Sequence, residues 1–130
     1  MVTITEDYVS FETAKILKEK GFPQSTFRCH YITDGNSHYK SFENRCGFGD
    51  YDIIAPTLAM AMKWLREVHK LSVRPRYDEV EDEKEHLYYV WFFDILSMNP
   101  YKALVEPVQG YSTYEEACEA AILYCLTNLI

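Results

Sequence analysis

Residues 87–96 restrict the possible folds of this chain more than any other part of its sequence. The stretch reads LYYVWFFDIL and is apolar at its odd and at its even positions. Successive side chains of a strand point to opposite faces of a sheet, so a strand of this kind is typical of a sheet centre. We therefore expect a central strand that is covered on both faces.

The flanking segments predict the neighbours of this strand. Residues 72–77 predict a strand at a sheet edge, because Pro75 has no N–H to donate to a further strand. The acidic run at residues 78–85 is expected to form the tip of the hairpin between the two strands. Residues 102–108 predict a last short strand, which Pro107 also confines to an edge.

Three segments are predicted to be helices, because apolar residues recur at intervals of three and four after a hydroxyl side chain that can cap the first turn. They cover residues 11–20, 58–69 and 114–129. Gly21 suits the left-handed position after the first helix, and Glu116 can complete a capping box with Thr113. The side chains expected to face the core are Ala14, Leu17, Leu58, Ala61, Met62, Leu65, Val68, Ala117, Cys118, Ala121, Ile122, Cys125, Leu126 and Leu129.

Between the first two helices the pattern changes to a period of two. Residues 26–42 alternate around Asp34-Gly35-Asn36, which predicts a β-hairpin with a tight turn. Residues 44–52 contain two glycines without periodicity, and this favours a loop. The chain is expected to rejoin the sheet within residues 51–54.

The resulting order is α-β-β-α-β-β-(β)-α, which fits an α+β fold with three helices and an antiparallel sheet of four to five strands. The chain has 130 residues, of which 48% are hydrophobic and 15% aromatic. This length and composition are typical of one globular domain and exclude a disordered chain. We expect residues 1–130 to form a single domain.

The net charge is −7 at pH 7, from 13 basic and 20 acidic residues. A field of this sign repels phosphate backbones, so general nucleic-acid binding is not expected, and the excess is small for a protein that mimics DNA. No apolar run is long enough to span a bilayer, and the first residues, MVTITED, do not resemble a signal peptide. We expect a cytoplasmic protein that does not bind membranes.

Charge is unevenly distributed along the chain. Five basic side chains between residues 63 and 76 precede six acidic ones between residues 78 and 85. One interpretation is that both runs are solvated and partly neutralise each other, and the other is that they dock a charged partner. The basic residues are Lys63, Arg66, Lys70, Arg74 and Arg76, and the acidic residues are Asp78, Glu79, Glu81, Asp82, Glu83 and Glu85.

Asp94 is the one carboxylate within the apolar stretch. A buried carboxylate without a partner costs several kcal/mol, so Asp94 must be paired, protonated or at the end of the sheet. The first interpretation is an ion pair with Arg74 or Arg76 on the adjoining strand. The second is a functional acid in a pocket lined with Tyr88 and Trp91.

The aromatic residues of the same stretch are a candidate interaction surface. Three helices on one side of a sheet leave the other side to solvent, to a ligand or to another protein, and a contiguous aromatic patch is rarely left bare. A homodimer is the simplest cover, and a helix that crosses to the second face is the alternative. The residues concerned are Tyr88, Tyr89, Trp91, Phe92 and Phe93.

No pattern predicts a catalytic residue, a metal site or a cofactor. The nearest metal-ligand set is Cys29, His30, His38 and Cys46. Hairpin alternation separates Cys29 from His30, and a Cys-x-x-Cys pair is absent from the sequence. The acidic run lacks the ligand spacing of a calcium-binding EF-hand loop. Cys118 and Cys125 are expected to be free thiols in the core.

Three segments resemble small uncharacterised proteins from phage and mobile-element regions of Bacteroides-type gut bacteria. They are SFETAKILKEKGF at residues 10–22, APTLAMAMKWLREVH at residues 55–69 and YEEACEAAI at residues 114–122. The resemblance implies a bacterial or phage origin and a cytoplasmic setting. It implies no activity and no catalytic residue, because none is established for these proteins.

These observations favour a small non-enzymatic interaction protein of phage or mobile-element origin. Its aromatic sheet face would serve self-association, and the charged second helix and hairpin would bind a protein partner. The alternative is a small enzyme or ligand-binding domain with an aromatic pocket near Asp94.

Overall fold

A computed structural model describes residues 4–24, 30–34, 37–41, 53–105 and 109–130. The chain divides into two compact units, Met1–Ala61 and Met62–Ile130. Among the helices of the described residues, none has both the length and the hydrophobicity needed to cross a bilayer. The single domain expected for residues 1–130 stays a prediction.

The first unit combines one helix with a small antiparallel sheet in the order β2-β1-β3. Its elements are α1 at Phe11–Glu19, β1 at His30–Asp34, β2 at Ser37–Ser41 and β3 at Ile53–Ile54, and α2 at Leu58–His69 begins here. The predicted hairpin is confirmed by the register of β1 and β2, and β3 confirms that the chain rejoins the sheet. The predicted turn residues Gly35 and Asn36, residues 26–29 and the predicted loop at residues 44–52 lie outside the described residues.

Helix α1 begins and ends where its capping residues predict. The Ser10 hydroxyl accepts a hydrogen bond from the Thr13 N–H at 3.3 Å, which satisfies a donor of the first turn. Gly21 follows the helix with φ of +96°, a conformation that glycine adopts without strain. The Phe22 N–H then donates to the Leu17 carbonyl at 2.9 Å and closes the helix.

Helix α2 follows its predicted pattern except at its end. The Thr57 hydroxyl accepts from the Met60 N–H at 3.1 Å, and Leu58, Ala61 and Leu65 are buried as expected. Val68, predicted to face the core, is 58% exposed. It lies in the last turn, one residue before the helix ends, where the apolar spacing no longer meets a covering element.

The second unit consists of the rest of α2, a three-stranded antiparallel sheet and a further helix. The sheet has the order β4-β5-β6, with β4 at Leu71–Glu81, β5 at Leu87–Met98 and β6 at Tyr101–Val105, and α3 at Tyr114–Tyr124 continues into a π-helical turn at Cys125–Leu129. The central position of β5 and the edge position of Pro75 are confirmed. Residues 106–108, with Pro107, lie outside the described residues.

The cap of α3 differs slightly from a capping box. The Thr113 hydroxyl accepts from the Glu116 N–H at 3.1 Å as predicted, while the Glu116 carboxylate accepts from the Ser112 N–H at 3.3 Å instead of the Thr113 N–H. The predicted inner side of the helix is confirmed. Its buried side chains are Ala117, Cys118, Ala121, Ile122, Cys125 and Leu126.

The α+β class and the order of elements are confirmed, whereas the strands divide into two sheets of three within the described residues. The sequence predicted one sheet of four to five strands. Alternation identifies a strand and its two faces, but it carries no information about which strand lies beside it. The division into sheets therefore could not be derived from the pattern.

The acidic run was predicted to be a hairpin tip, and this is wrong for its first half. Strand β4 continues to Glu81, which pairs with Leu87, so that only residues 82–86 form the tip. Asp82 explains the shorter turn, because its carboxylate accepts hydrogen bonds from the N–H groups of Lys84 and His86 at 2.9 and 2.8 Å.

Glu85 in this turn has φ of +64°, a left-handed conformation that costs a non-glycine residue free energy. We expect Glu85→Gly to raise the free energy of unfolding by about 0.5–1 kcal/mol relative to Glu83→Gly. Glu83 is the matched control, because it lies in the same turn with negative φ. Urea unfolding of both variants measures the difference, and equal midpoints would contradict the expectation.

Candidate interaction surface

Strand β5 is longer than the helix that packs on it. At about 3.4 Å per residue its 12 residues span roughly 40 Å. At about 1.5 Å per residue the helical stretch from Tyr114 to Leu129 spans roughly 24 Å. A helix of this length cannot cover the whole strand, and part of β5 must meet solvent or another molecule.

The uncovered part is the first half of the strand. Asp94, Ile95 and Leu96 are buried, whereas Leu87 is 58% and Tyr89 is 57% exposed. The prediction that β5 is covered on both faces throughout is therefore wrong. We call the exposed part of the β4–β5 hairpin, residues 77–90, the distal arm.

One face of this hairpin carries a run of aromatic rings. Tyr77 stacks on Tyr89 with centroids 5.8 Å apart and planes at 15°, and its centroid lies 5.1 Å from that of Trp91. Tyr114, at the start of α3, meets Trp91 edge to face at 5.2 Å. We call these four residues the tyrosine face. Tyr77 is 57% exposed, like Tyr89, so the outer end of the run is open.

The position of Trp91 is fixed by the backbone beside it. Trp91 and Tyr111 exchange two backbone hydrogen bonds at 2.9 and 2.7 Å, and the Tyr111 ring stacks on Phe93 at 5.9 Å. Gly110 permits this approach, because a Cβ there would lie 2.8 Å from a methyl carbon of Val90. The inner end of the tyrosine face is thus rigidly anchored.

The predicted aromatic residues divide between the two faces of the sheet. Tyr89, Trp91 and Phe93 share the face that α3 packs on, while alternation places Tyr88, Phe92 and Asp94 on the other. Tyr88 is exposed and Phe92 is half-buried. Because Trp91 lies opposite to Tyr88 and Asp94, these three residues do not line one pocket.

Asp94 is paired as the first interpretation predicted. The Arg74 Nε and Nη2 atoms donate to its two carboxylate oxygens at 2.7 and 2.8 Å, and the Arg76 Nε lies 3.6 Å from Oδ2. The hydrogen bond to Asp94 raises the pKa of Arg74 above its ordinary value. Asp94 is only 6% exposed, and Arg74 of the neighbouring strand occupies both oxygens of its carboxylate.

The five predicted basic residues fall into two groups. Arg74 and Arg76 lie on β4 and contact Asp94, whereas Lys63 and Arg66 are exposed on α2 and Lys70 is exposed directly after its last residue. The spacing of three residues places Lys63 and Arg66 on one side of the helix, and Lys70 follows the helix end with φ of +56°. No carboxylate of the described residues forms an ion pair with them. We call them the basic side of α2.

Two acidic residues lie beside the tyrosine face. Glu79 pairs with Tyr89 across the sheet, Glu81 pairs with Leu87, and both lie on the same face as Tyr77, because the side-chain period of a strand is two. Both are exposed, and within the part of the chain that the structure describes neither forms an ion pair. The outer end of the tyrosine face is consequently both aromatic and negative.

The cysteines of the described residues lack the features of nucleophiles. Cys118 and Cys125 are buried and free, as predicted, and burial raises their pKa values to about 11 and about 12. No group of three or more potential metal ligands occurs among the described residues, and Cys29 and Cys46 lie outside them.

Two members of this surface were not identified from the sequence. Tyr77 and Tyr114 lie outside the aromatic stretch at residues 87–96. Tyr77 joins the tyrosine face because the strand register places it opposite Trp91. Its position two residues after Pro75 in an alternating strand was the available signal.

No protein-family model, no curated protein and no solved structure matches this chain. The arrangement of the tyrosine face, the basic side of α2 and the Arg74–Asp94 pair therefore has to be interpreted from its own chemistry.

Proposed function

We propose that the protein is a small non-enzymatic interaction protein of phage or mobile-element origin, which acts in the cytoplasm through protein–protein contacts and forms a homodimer. The observation that carries the proposal is the tyrosine face, whose outer rings lie beyond the reach of α3. The origin and the cellular setting rest on the resemblance of three helical segments.

The character of the exposed residues supports protein contact. Tyrosine and tryptophan contribute large contact areas with few rotatable bonds, and they are enriched where proteins bind each other. Tyr77 and Tyr89 are adjacent exposed rings on a strand pair that is anchored at Trp91, so little order would have to be gained on binding.

Light scattering on two variants tests this proposal. Wild-type protein is expected to have twice the chain mass of 15.3 kDa. Replacement of both Tyr77 and Tyr89 by serine is expected to give the monomer mass. Tyr101→Ser is the matched control, because Tyr101 is exposed but lies on β6, away from the tyrosine face, and should leave the dimer intact. A wild-type monomer at all accessible concentrations would contradict the proposed dimer.

A further inference from the structure

We infer that the tyrosine face of one copy binds the basic side of α2 of a second copy, and that the same contact forms in reverse. This inference rests on the proposed homodimer and specifies which two surfaces meet. It follows from the charges on each surface and from their lengths.

Direct contact between two tyrosine faces is disfavoured by charge. Glu79 and Glu81 lie between and beyond the exposed rings on the same face of the sheet. A symmetric contact of this face with itself would place the carboxylates of both copies together while removing water from them. Like charges in such a position disfavour the complex and select against that arrangement.

The basic side of α2 has the opposite charge and a matching length. Lys63 and Arg66 are separated by about 4.5 Å along the helix axis. Glu79 and Glu81 are separated by about 7 Å along β4. Lys63 and Arg66 can therefore pair with Glu79 and Glu81, and their cationic groups can also lie against the tyrosine rings.

Apolar surface is present on the helix as well. Met60 is an exposed hydrophobic residue of α2 and lies one helical turn before Lys63.

The chain itself carries both complementary surfaces, so a second copy can bind the tyrosine face. A two-fold arrangement would use each surface twice, since every copy offers one tyrosine face and one basic side. The assembly then closes at two molecules and leaves neither surface open. A foreign basic partner would leave the basic side of α2 of this chain without a role.

A charge exchange between two variants tests the pairing. In the arm variant Glu79 and Glu81 become lysine, and in the helix variant Lys63 and Arg66 become glutamate. Each variant alone would place like charges in both contacts, so each is expected to have the monomer mass. An equal mixture is expected to regain twice the chain mass, because one contact is then reversed in sign and the other is native.

The neutral variant, with Glu79→Gln and Glu81→Gln, is the matched control for folding and for the sign of the effect. It should weaken the dimer by about tenfold, and its mixture with the helix variant should dimerise more weakly than the mixture of the arm and helix variants, because only one of the two contacts is then attractive. An increase from about 0.05 to about 0.5 M salt should also weaken the wild-type dimer. Circular dichroism verifies that all variants are folded.

The outcomes separate the two proposals. If the charge variants remain dimeric while the Tyr77 and Tyr89 double variant is monomeric, this inference is wrong and the proposed homodimer stands. If the single variants are monomers and the mixture does not regain the dimer mass, the two surfaces do not meet. If the wild type is a monomer that binds a lysine-rich peptide through Glu79 and Glu81, the occupant is a foreign basic protein, and both the dimer and this inference are wrong.

Discussion

Leu17→Ala is expected to lower the stability of the second unit, although Leu17 lies in the first. The Leu17 side chain is completely buried, and truncation of such a leucine costs about 2–5 kcal/mol through lost burial and the cavity that remains. Helix α2 continues across the boundary at Ala61 and Met62. If residues 1–130 form a single cooperative domain, both units unfold in one transition, and the free energy of that transition falls by this amount.

Tryptophan fluorescence makes the two units distinguishable. Trp64 and Trp91 are the only tryptophans of the chain and both lie in the second unit, whereas far-ultraviolet circular dichroism reports on all helices and strands. We expect Leu17→Ala to shift both urea transitions equally. Ile122→Ala, at a completely buried site of the second unit, should do the same.

The exposed Lys15 provides a control on α1, since Lys15→Ala should change the free energy of unfolding by less than about 0.5 kcal/mol. A fluorescence transition that Leu17→Ala leaves in place would show that the units unfold independently. The chain would then consist of two domains, contrary to the prediction from its length.

The helices and most strands could be predicted because their signals are local. Ser10 and Thr113 cap helices within three residues of their own positions, and Pro75 identifies an edge strand by its missing N–H. The turn at Asp82 was misplaced, because acidic side chains are typical of both solvated turns and solvated strands. The turn begins at Asp82 because its carboxylate accepts two backbone hydrogen bonds, and composition does not reveal these bonds.

The candidate surface could be predicted only in part. The aromatic stretch and the ion pair of Asp94 with Arg74 follow from alternation and from the cost of an unpaired buried charge. The exposure of Tyr89 depends on α3 packing against the second half of β5, and the position of a helix along a strand is a tertiary property. The combination of Glu79 with Tyr77 on one face depends on the register, and register is a tertiary property.

Asp94→Asn is expected to lower the free energy of unfolding by about 1–3 kcal/mol. The amide keeps the shape of the side chain but removes its charge, and its NH₂ group would face the donors of Arg74. The carboxylate is buried and both of its oxygens accept short hydrogen bonds, so the variant loses a charge-assisted pair. Solvent around the half-exposed Arg74 keeps the loss below that of a fully buried pair.

Two double-mutant cycles show which arginine accounts for the stability that Asp94→Asn loses. Arg74→Met and Arg76→Met remove the same cation from neighbouring positions, but only Arg74 makes two hydrogen bonds to Asp94, whereas Arg76 lies 3.6 Å away. The coupling free energy between Asp94 and Arg74 should therefore be several times that between Asp94 and Arg76. Urea unfolding of the single and double variants measures both.

The same cycles bear on the alternative function, a small enzyme or ligand-binding domain with Asp94 as its acid. Residues that serve a ligand are often held at a cost to stability, whereas residues that serve the fold contribute to it. A large coupling with Arg74 would identify Asp94 as part of the sheet. If Asp94→Asn left the stability unchanged or increased it, the burial of this carboxylate would need another reason, and a ligand on the face of Tyr88 and Phe92 would become the better explanation.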